Sequence, residues 1–397
     1  MHHAVRFRAA SCSTTLALLL SAVHGAATSP VNIVKLGAFD YSTQETTPVV
    51  FNGRLILVEA VSWPSWQHAG RWLPAFNSTL TCNDYFRVRD VAANHILVNM
   101  TSSCNFAFPS AFVTRGAESQ YETLTVFAQP WNRGGHVQTT CSRGANCTVH
   151  AWTSTDPLLL EWKVVGPAAE PGFGVYNADI AHVGARIPNL PGVAQWVLIL
   201  EGLEERSHFA VSSAEDAASG DLSQWTFLDS SYLLPQLGGD AEIGSCPSIR
   251  YDIETGYFYV LTGGTAIILL RSKDLKTWEL ASQGTGGDGK HGWIIYPDQR
   301  DCVPCSASGL ACYTPNAEAR QHMETNCPSP FGFGDDSDVD LTEVVINGTR
   351  GTLFEYGSGD QATFGFSNYA WSPKPMFETL SSFFRPADPD SLSYTPR

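Results

Sequence analysis

Five segments of this 397-residue chain read as variations on one strand: LILVEAV (55–61), TLTVFAQ (123–129), WVLILEG (196–202), YFYVLTG (257–263) and TLFEYGS (352–358). Each is an apolar, β-prone run that ends near small or polar residues. A repeated unit of this size cannot bury its own apolar faces, so the copies must pack against one another. That requirement constrains the fold more than any single motif does.

The sequence around the repeats gives each unit its remaining strands. TPVVFNGR (47–54), CPSIRYDIETG (246–256) and LTEVVINGTRG (341–351) place a strand and a turn before the first, fourth and fifth runs. Their N-G and T-G dipeptides supply the positive-φ positions of hairpin turns. Three units continue with a corner containing Ser and Asp and closing on Trp: STDPLLLEW (154–162), SSAEDAASGDLSQW (212–225) and RSKDLKTW (271–278). Asp156, Asp221 and Asp274 are therefore expected to bind backbone N–H groups in turns, and the tryptophans to pack between neighbouring sheets. Four-stranded units repeated five times predict an all-β fold, a five-bladed β-propeller of antiparallel blades. VNIVKLG (31–37) precedes the first hairpin and is expected to complete the last sheet. A Cys-rich insertion at about 283–333, with a short helix over NAEARQHMETN (316–326), separates units four and five.

Residues 1–27 have the layout of a secretory signal: His2, His3, Arg6 and Arg8 without an acid, an apolar Leu16–Leu20, then small residues to Ala27. The expected product is a single secreted domain over 28–397, a monomer with no membrane span. Sequons at Asn77, Asn99, Asn146 and Asn347 fit glycosylation on that route. An oxidising compartment suits disulfides for Cys82 with Cys104, Cys141 with Cys147, and the cluster Cys302, Cys305, Cys312 and Cys327, leaving Cys246 single. A net charge of −15 argues against a nucleic-acid partner, and aromatics at 11% offer flat faces that could stack on sugar rings. The chain has no G-x-S-x-G elbow, glycine-rich phosphate loop or H-E-x-x-H, which removes support for serine hydrolase, kinase and zinc protease chemistry.

The corner RSKDLKTW, the hairpin CPSIRYDIETGYFYVLTGG and the late segment DDSDVDLTEVVINGTRGTLFEYGSGDQ resemble the five-bladed propeller glycosidases of glycoside hydrolase families 43, 32, 62 and 130. The resemblance implies hydrolysis of a poly- or oligosaccharide by paired carboxylates, with no organic cofactor. It also marks two departures. Thr47-Pro48 stands where family 43 carries an Asp-Pro base, and Ser245-Cys246-Pro247 where family 32 carries the Glu-Cys-Pro acid. The alternative is a noncatalytic, lectin-like propeller.

In such a ring, carboxylates near the start of each unit's inner strand reach the central pocket: Glu45, Asp179, Glu242, and Asp338 with Asp340. Asp338, Asp179 and Glu242 are the candidate catalytic acids, since glycoside hydrolysis needs one protonated and one ionised carboxyl. Asp338 and Asp340 are expected to share a strand face. DDSDVDL also resembles the start of a calcium loop, although Leu341 stands where an EF-hand needs Gly, so a loose structural calcium stays open. Glu59 and Glu201 sit in apolar runs and need either an arginine, such as Arg54 or Arg250, or a place at the pocket. Glu45, Arg54, Glu59, Trp63, Glu201, Arg250, Tyr251, Asp340 and Gln361 complete the candidate binding residues.

Overall fold

The computed structural model describes residues 33–40, 43–62, 84–93, 95–104, 106–115, 122–130, 148–202, 206–235, 245–263, 266–282, 292–295, 336–358 and 366–384. They form five antiparallel sheets whose first strands neighbour one another in a closed ring. The fold is a five-bladed β-propeller.

β1 (Val34–Asp40) is the outermost strand of the last blade. Blade 1 follows with β2 (Thr43–Phe51), β3 (Arg54–Ser62), β4 (Asp84–Asp90) and β5 (His95–Met100). Blade 2 holds β6 (Phe106–Arg115), β7 (Glu122–Pro130), β8 (Val149–Ser154) and β9 (Lys163–Ala169). In blade 3 the order is β10 (Val175–Ala185), β11 (Ala194–Gly202), β12 (Ser207–Ser212) and β13 (Trp225–Phe227). Blade 4 comprises β14 (Ser245–Asp252), β15 (Tyr257–Gly263), β16 (Ile267–Ser272) and β17 (Glu279–Leu280), and β18 (Trp293–Ile295) pairs with β16 as well. The insertion foreseen at 283–333 thus lends blade 4 a fifth strand; its segment 316–326 lies outside the described residues. β19 (Asp336–Ile346), β20 (Thr349–Ser358), β21 (Phe366–Ser372) and β1 make blade 5, and the helix α1 (Met376–Ser381) packs beneath it. The first and last parts of the chain close the ring by pairing β1 with β21.

Local sequence explains the hairpins. Asn52-Gly53 and Asn347-Gly348 have φ of 48° and 74°, and 53° and 76°, which gives their turns the twist that antiparallel strands need. The three corners act as their composition suggests. Asp274 accepts the N–H groups of Lys276 at 2.9 Å and Thr277 at 2.7 Å, Asp156 those of Leu158 and Leu160, and Asp221 that of Ser223.

Each corner tryptophan packs toward the blade before its own. Trp162 lies against the core of blades 1 and 2, Trp225 donates its indole N–H to Ala168 O of blade 2 at 2.9 Å, and Trp278 stacks on Phe209 of blade 3 at 5.8 Å between centroids. The apolar cores lie between blades, so every blade depends on its neighbours.

Candidate active site

All five inner strands break register at the same level. The irregularities fall between Thr43 and Thr46, Ala107 and Ser110, Val175 and Ala178, Ser245 and Ser248, and Ser337 and Asp340. Extra residues at a bulge bend the strand and re-aim its side chains. Five such bends meet around the axis, and the pocket they enclose has about 340 Å³ of empty space, counted to its open mouth. Glu45, Phe108, Asn177, Asp179, Cys246 and Asp340 are among its lining residues.

Arg250, from β14, braces the pocket. Its Nη1 donates to Asp179 Oδ2 at 2.8 Å and to Ile249 O at 2.7 Å, while Nη2 donates to Asp340 Oδ1 and to Leu341 O at 3.1 Å. One guanidinium therefore links blades 3, 4 and 5. Burial works against its charge, but the two carboxylates outweigh that penalty and hold its pKa above the ordinary arginine value.

The two aspartates differ in their surroundings. Asp179 is saturated with donors: Ser110 Oγ reaches Oδ1, and Ser248 Oγ at 3.0 Å, the Ile249 N–H at 2.7 Å and Arg250 reach Oδ2. Both oxygens of this carboxylate are thus held in place by donors from blades 2 and 4. Burial pushes the Asp340 carboxyl up to about 6, opposed by Arg250 and reinforced by the negative charge of Asp179; the Leu341 N–H and the Thr47 hydroxyl pull it back. Asp340 is thus a pocket carboxyl able to exchange a proton near pH 6.

The other proposed site residues separate into distinct groups. Glu45 is buried and lines the pocket. Glu201 lies just behind it, where its Oε2 accepts from Asn177 Nδ2 and from the Cys246 N–H, each at 2.7 Å. Its contacts thus include an amide and a backbone N–H from the pocket lining.

Glu59 is held away from the pocket lining by Arg87 and Arg89 of the adjacent β4, and not by Arg54. Arg54 pairs with Asp90 at 3.1 Å and reaches Pro157 O at 2.6 Å, bridging blades 1 and 2 at the hairpin end. Tyr251 packs on Phe258 at 4.7 Å, one residue beyond Arg250 and on the other face of the strand. Asp338 belongs to β19, but the bulge between Ser337 and Asp340 interrupts the regular alternation that would align the two aspartates. The side chain of Asp338, together with Trp63, Glu242 and Gln361, lies outside the described residues. Among the described residues no group of three or more His, Cys, Asp or Glu could hold a metal ion.

Sequence reasoning passed over Phe108, Ser110, Asn177 and Ser248. A signal for three of them was present: FPS (108–110) and CPS (246–248) place the same Xaa-Pro-Ser tripeptide near the start of two inner strands. Cys246 keeps its thiol, in line with its expected single status.

Ring and pocket together define a class, a five-bladed β-propeller with an acidic, arginine-braced central pocket. No protein-family model and no curated protein matches the chain. Among solved structures it is similar to an α-L-arabinofuranosidase from Podospora anserina in complex with cellotriose, at 9% identity over 87% of this chain and 98% of that one, with a TM-score of 0.48. It is also similar to the catalytic domain of an α-L-arabinofuranosidase from Coprinopsis cinerea, at 9% identity over 87% and 98%, with a TM-score of 0.45. A sialidase from Trypanosoma rangeli matches at 10% identity over 86% of this chain and 56% of its own, with a TM-score of 0.37. With TM-scores below 0.5, these likenesses carry no argument about the chemistry of the pocket.

Proposed function

We propose that this propeller is a secreted glycoside hydrolase that cleaves a glycosidic bond of a poly- or oligosaccharide in its central pocket. The observation that carries the reading is Asp340: a buried pocket carboxyl, raised to about 6, beside the hydrogen-bonded carboxylate of Asp179. Hydrolysis of a glycoside needs one carboxyl that protonates the leaving oxygen and one that, ionised, activates water or attacks carbon. Asp340 is suited to the first role, because a group that titrates near the working pH can both give and regain a proton. Glu45, on the same lining, is proposed for the second role; Asp338 and Glu242 are proposed for it from sequence position alone. Asp179 would then act through its charge, keeping the Asp340 proton in place. The layout of residues 1–27 and the sequons supports secretion, and the ligand is a carbohydrate.

A carbohydrate-binding propeller without catalysis is the second reading. It draws on Arg250 tying down both aspartates, and on Thr47 and Ser245 in place of the resembled families' acids. A glycan panel scored for both released sugar and binding separates the two. Hydrolysis by the wild-type protein, reduced at least about 100-fold by Asp340→Asn as expected for loss of an acid–base group, supports the enzyme. Wild-type rates in Asp340→Asn would remove Asp340 from the reaction, and binding without release would select the lectin-like reading.

A further inference from the structure

The two Xaa-Pro-Ser tripeptides occupy equivalent places in blades 2 and 4, on either side of blade 3. In both, the residue before proline has a left-handed backbone: Phe108 at φ 58° and Cys246 at φ 48°. That conformation is uncommon for a side chain larger than glycine, and a following proline restricts the backbone further. It persists only where the surroundings hold it.

Each corner is held from the blade before it. The Thr47 hydroxyl of blade 1 donates to Pro109 O at 2.8 Å. Glu201 of blade 3 accepts the Cys246 N–H, and Asn177 Nδ2 stands 3.1 Å from the Cys246 sulfur. The third residue of each tripeptide completes the symmetry: Ser110 donates to one oxygen of Asp179 and Ser248 to the other. Each corner thus sends one side chain to the pocket lining and another to the central aspartate.

The charges leave these two side chains to govern what enters. No Lys, Arg or His is among the lining residues described, and both terminal nitrogens of Arg250 are engaged by carboxylates and carbonyls. A sugar carboxylate would meet Asp179 and Asp340 with no cationic side chain among the described lining residues to balance it. An uncharged ring, by contrast, can lay its C–H face on an aromatic side chain.

We infer that Phe108 and Cys246 are paired specificity-determining residues of the pocket, Phe108 the flat wall for an uncharged sugar ring and Cys246 the limit on its width. Ser110 and Ser248 are positioning residues that act through Asp179. The inference rests on the carbohydrate reading above, though not on catalysis.

The test uses the intact protein, a set of neutral nitrophenyl glycosides, the free sugars arabinose, xylose, galactose and glucose, and glucuronate. Hydrolysis is read by nitrophenol release, binding by saturation-transfer NMR, and occupancy by whether a sugar slows methanethiosulfonate labelling of Cys246. Phe108→Ala is expected to weaken the preferred neutral sugar at least tenfold, with Phe108→Tyr restoring it. Cys246→Trp should abolish binding, and Cys246→Ala should widen the range of sugars accepted. Thermal melting of every variant shows whether it is folded; if the other two are not, Cys246→Ala carries the test, and an unchanged range of sugars in it overturns the inference.

Wild-type preference retained in folded Phe108→Ala and Cys246→Trp, or a preference for glucuronate, would overturn the inference while leaving hydrolysis intact. Protection and ranking that shift as expected without any nitrophenol release would support the inference and refute the hydrolase. If the wild-type protein neither binds nor cleaves any of the sugars, both proposals fall.

Discussion

Asp340 shows how a single residue acquires its chemistry from position. An aspartate in water ionises near pH 3.8; this one is buried at the ring axis, where desolvation outweighs even a neighbouring guanidinium. Because its pKa is higher in the folded state than in the unfolded chain, folding favours the protonated form. Its contribution to stability is therefore complete below about pH 4 and is lost as pH rises through about 6. A shift of this size corresponds to about 3 kcal/mol at most. Urea unfolding between pH 4 and 7 should show stability falling with pH, and Asp340→Asn should flatten that slope. An unchanged slope in the variant would assign the titration to another group. Glu59 is a buried carboxylate paired with Arg87 and Arg89, and Glu59→Gln should cost about 3 kcal/mol by breaking both buried ion pairs.

At the scale of elements, the repeated corner divides its work between two residues. Asp274 is a half-buried turn acceptor, so Asp274→Ala should cost about 1 kcal/mol, the net worth of its backbone hydrogen bonds. Trp278 is buried between blades 3 and 4, and Trp278→Ala should cost about 3–5 kcal/mol. Chemical unfolding of the two variants checks the ranking, and neither substitution should alter sugar binding, since neither residue lines the pocket. The corner was legible in the sequence because Ser, Asp and Trp recur at similar spacing and act on neighbours in the chain. The bulges of the inner strands were legible only in part: FPS and CPS fall on two of them, but a bulge is a mismatch between two strands and the other three share no such mark. Asp338 and Asp340 illustrate the difference: two residues apart in a regular strand they would share a face, but the irregularity after Ser337 removes that guarantee.

The whole molecule is a ring, and a ring stays closed only if its first and last blades are joined. β1 performs that closure by supplying the outer strand of blade 5, with Val34 opposite Trp371 and Lys35 opposite Ala370. A chain beginning at residue 43 should expose the edge of β21 and unfold at lower temperature than the intact protein. Adding a peptide of residues 31–42 should restore part of the loss. Equal melting temperatures with and without residues 34–40 would show that packing among blades is enough to hold the ring.

Blade number, hairpin turns, corner aspartates and the closing strand were all determined by the sequence, since each depends on local periodicity or on residues a few positions apart. The pocket depended on long-range geometry. Arg250 meets Asp179 and Asp340 across 71 and 90 positions of chain, and no local pattern distinguishes those carboxylates from Glu59, which the same reasoning placed beside them. Only closure of the ring brings five bulged strands to one axis, buries Asp340 there, and sets Phe108 and Cys246 in the lining of one pocket.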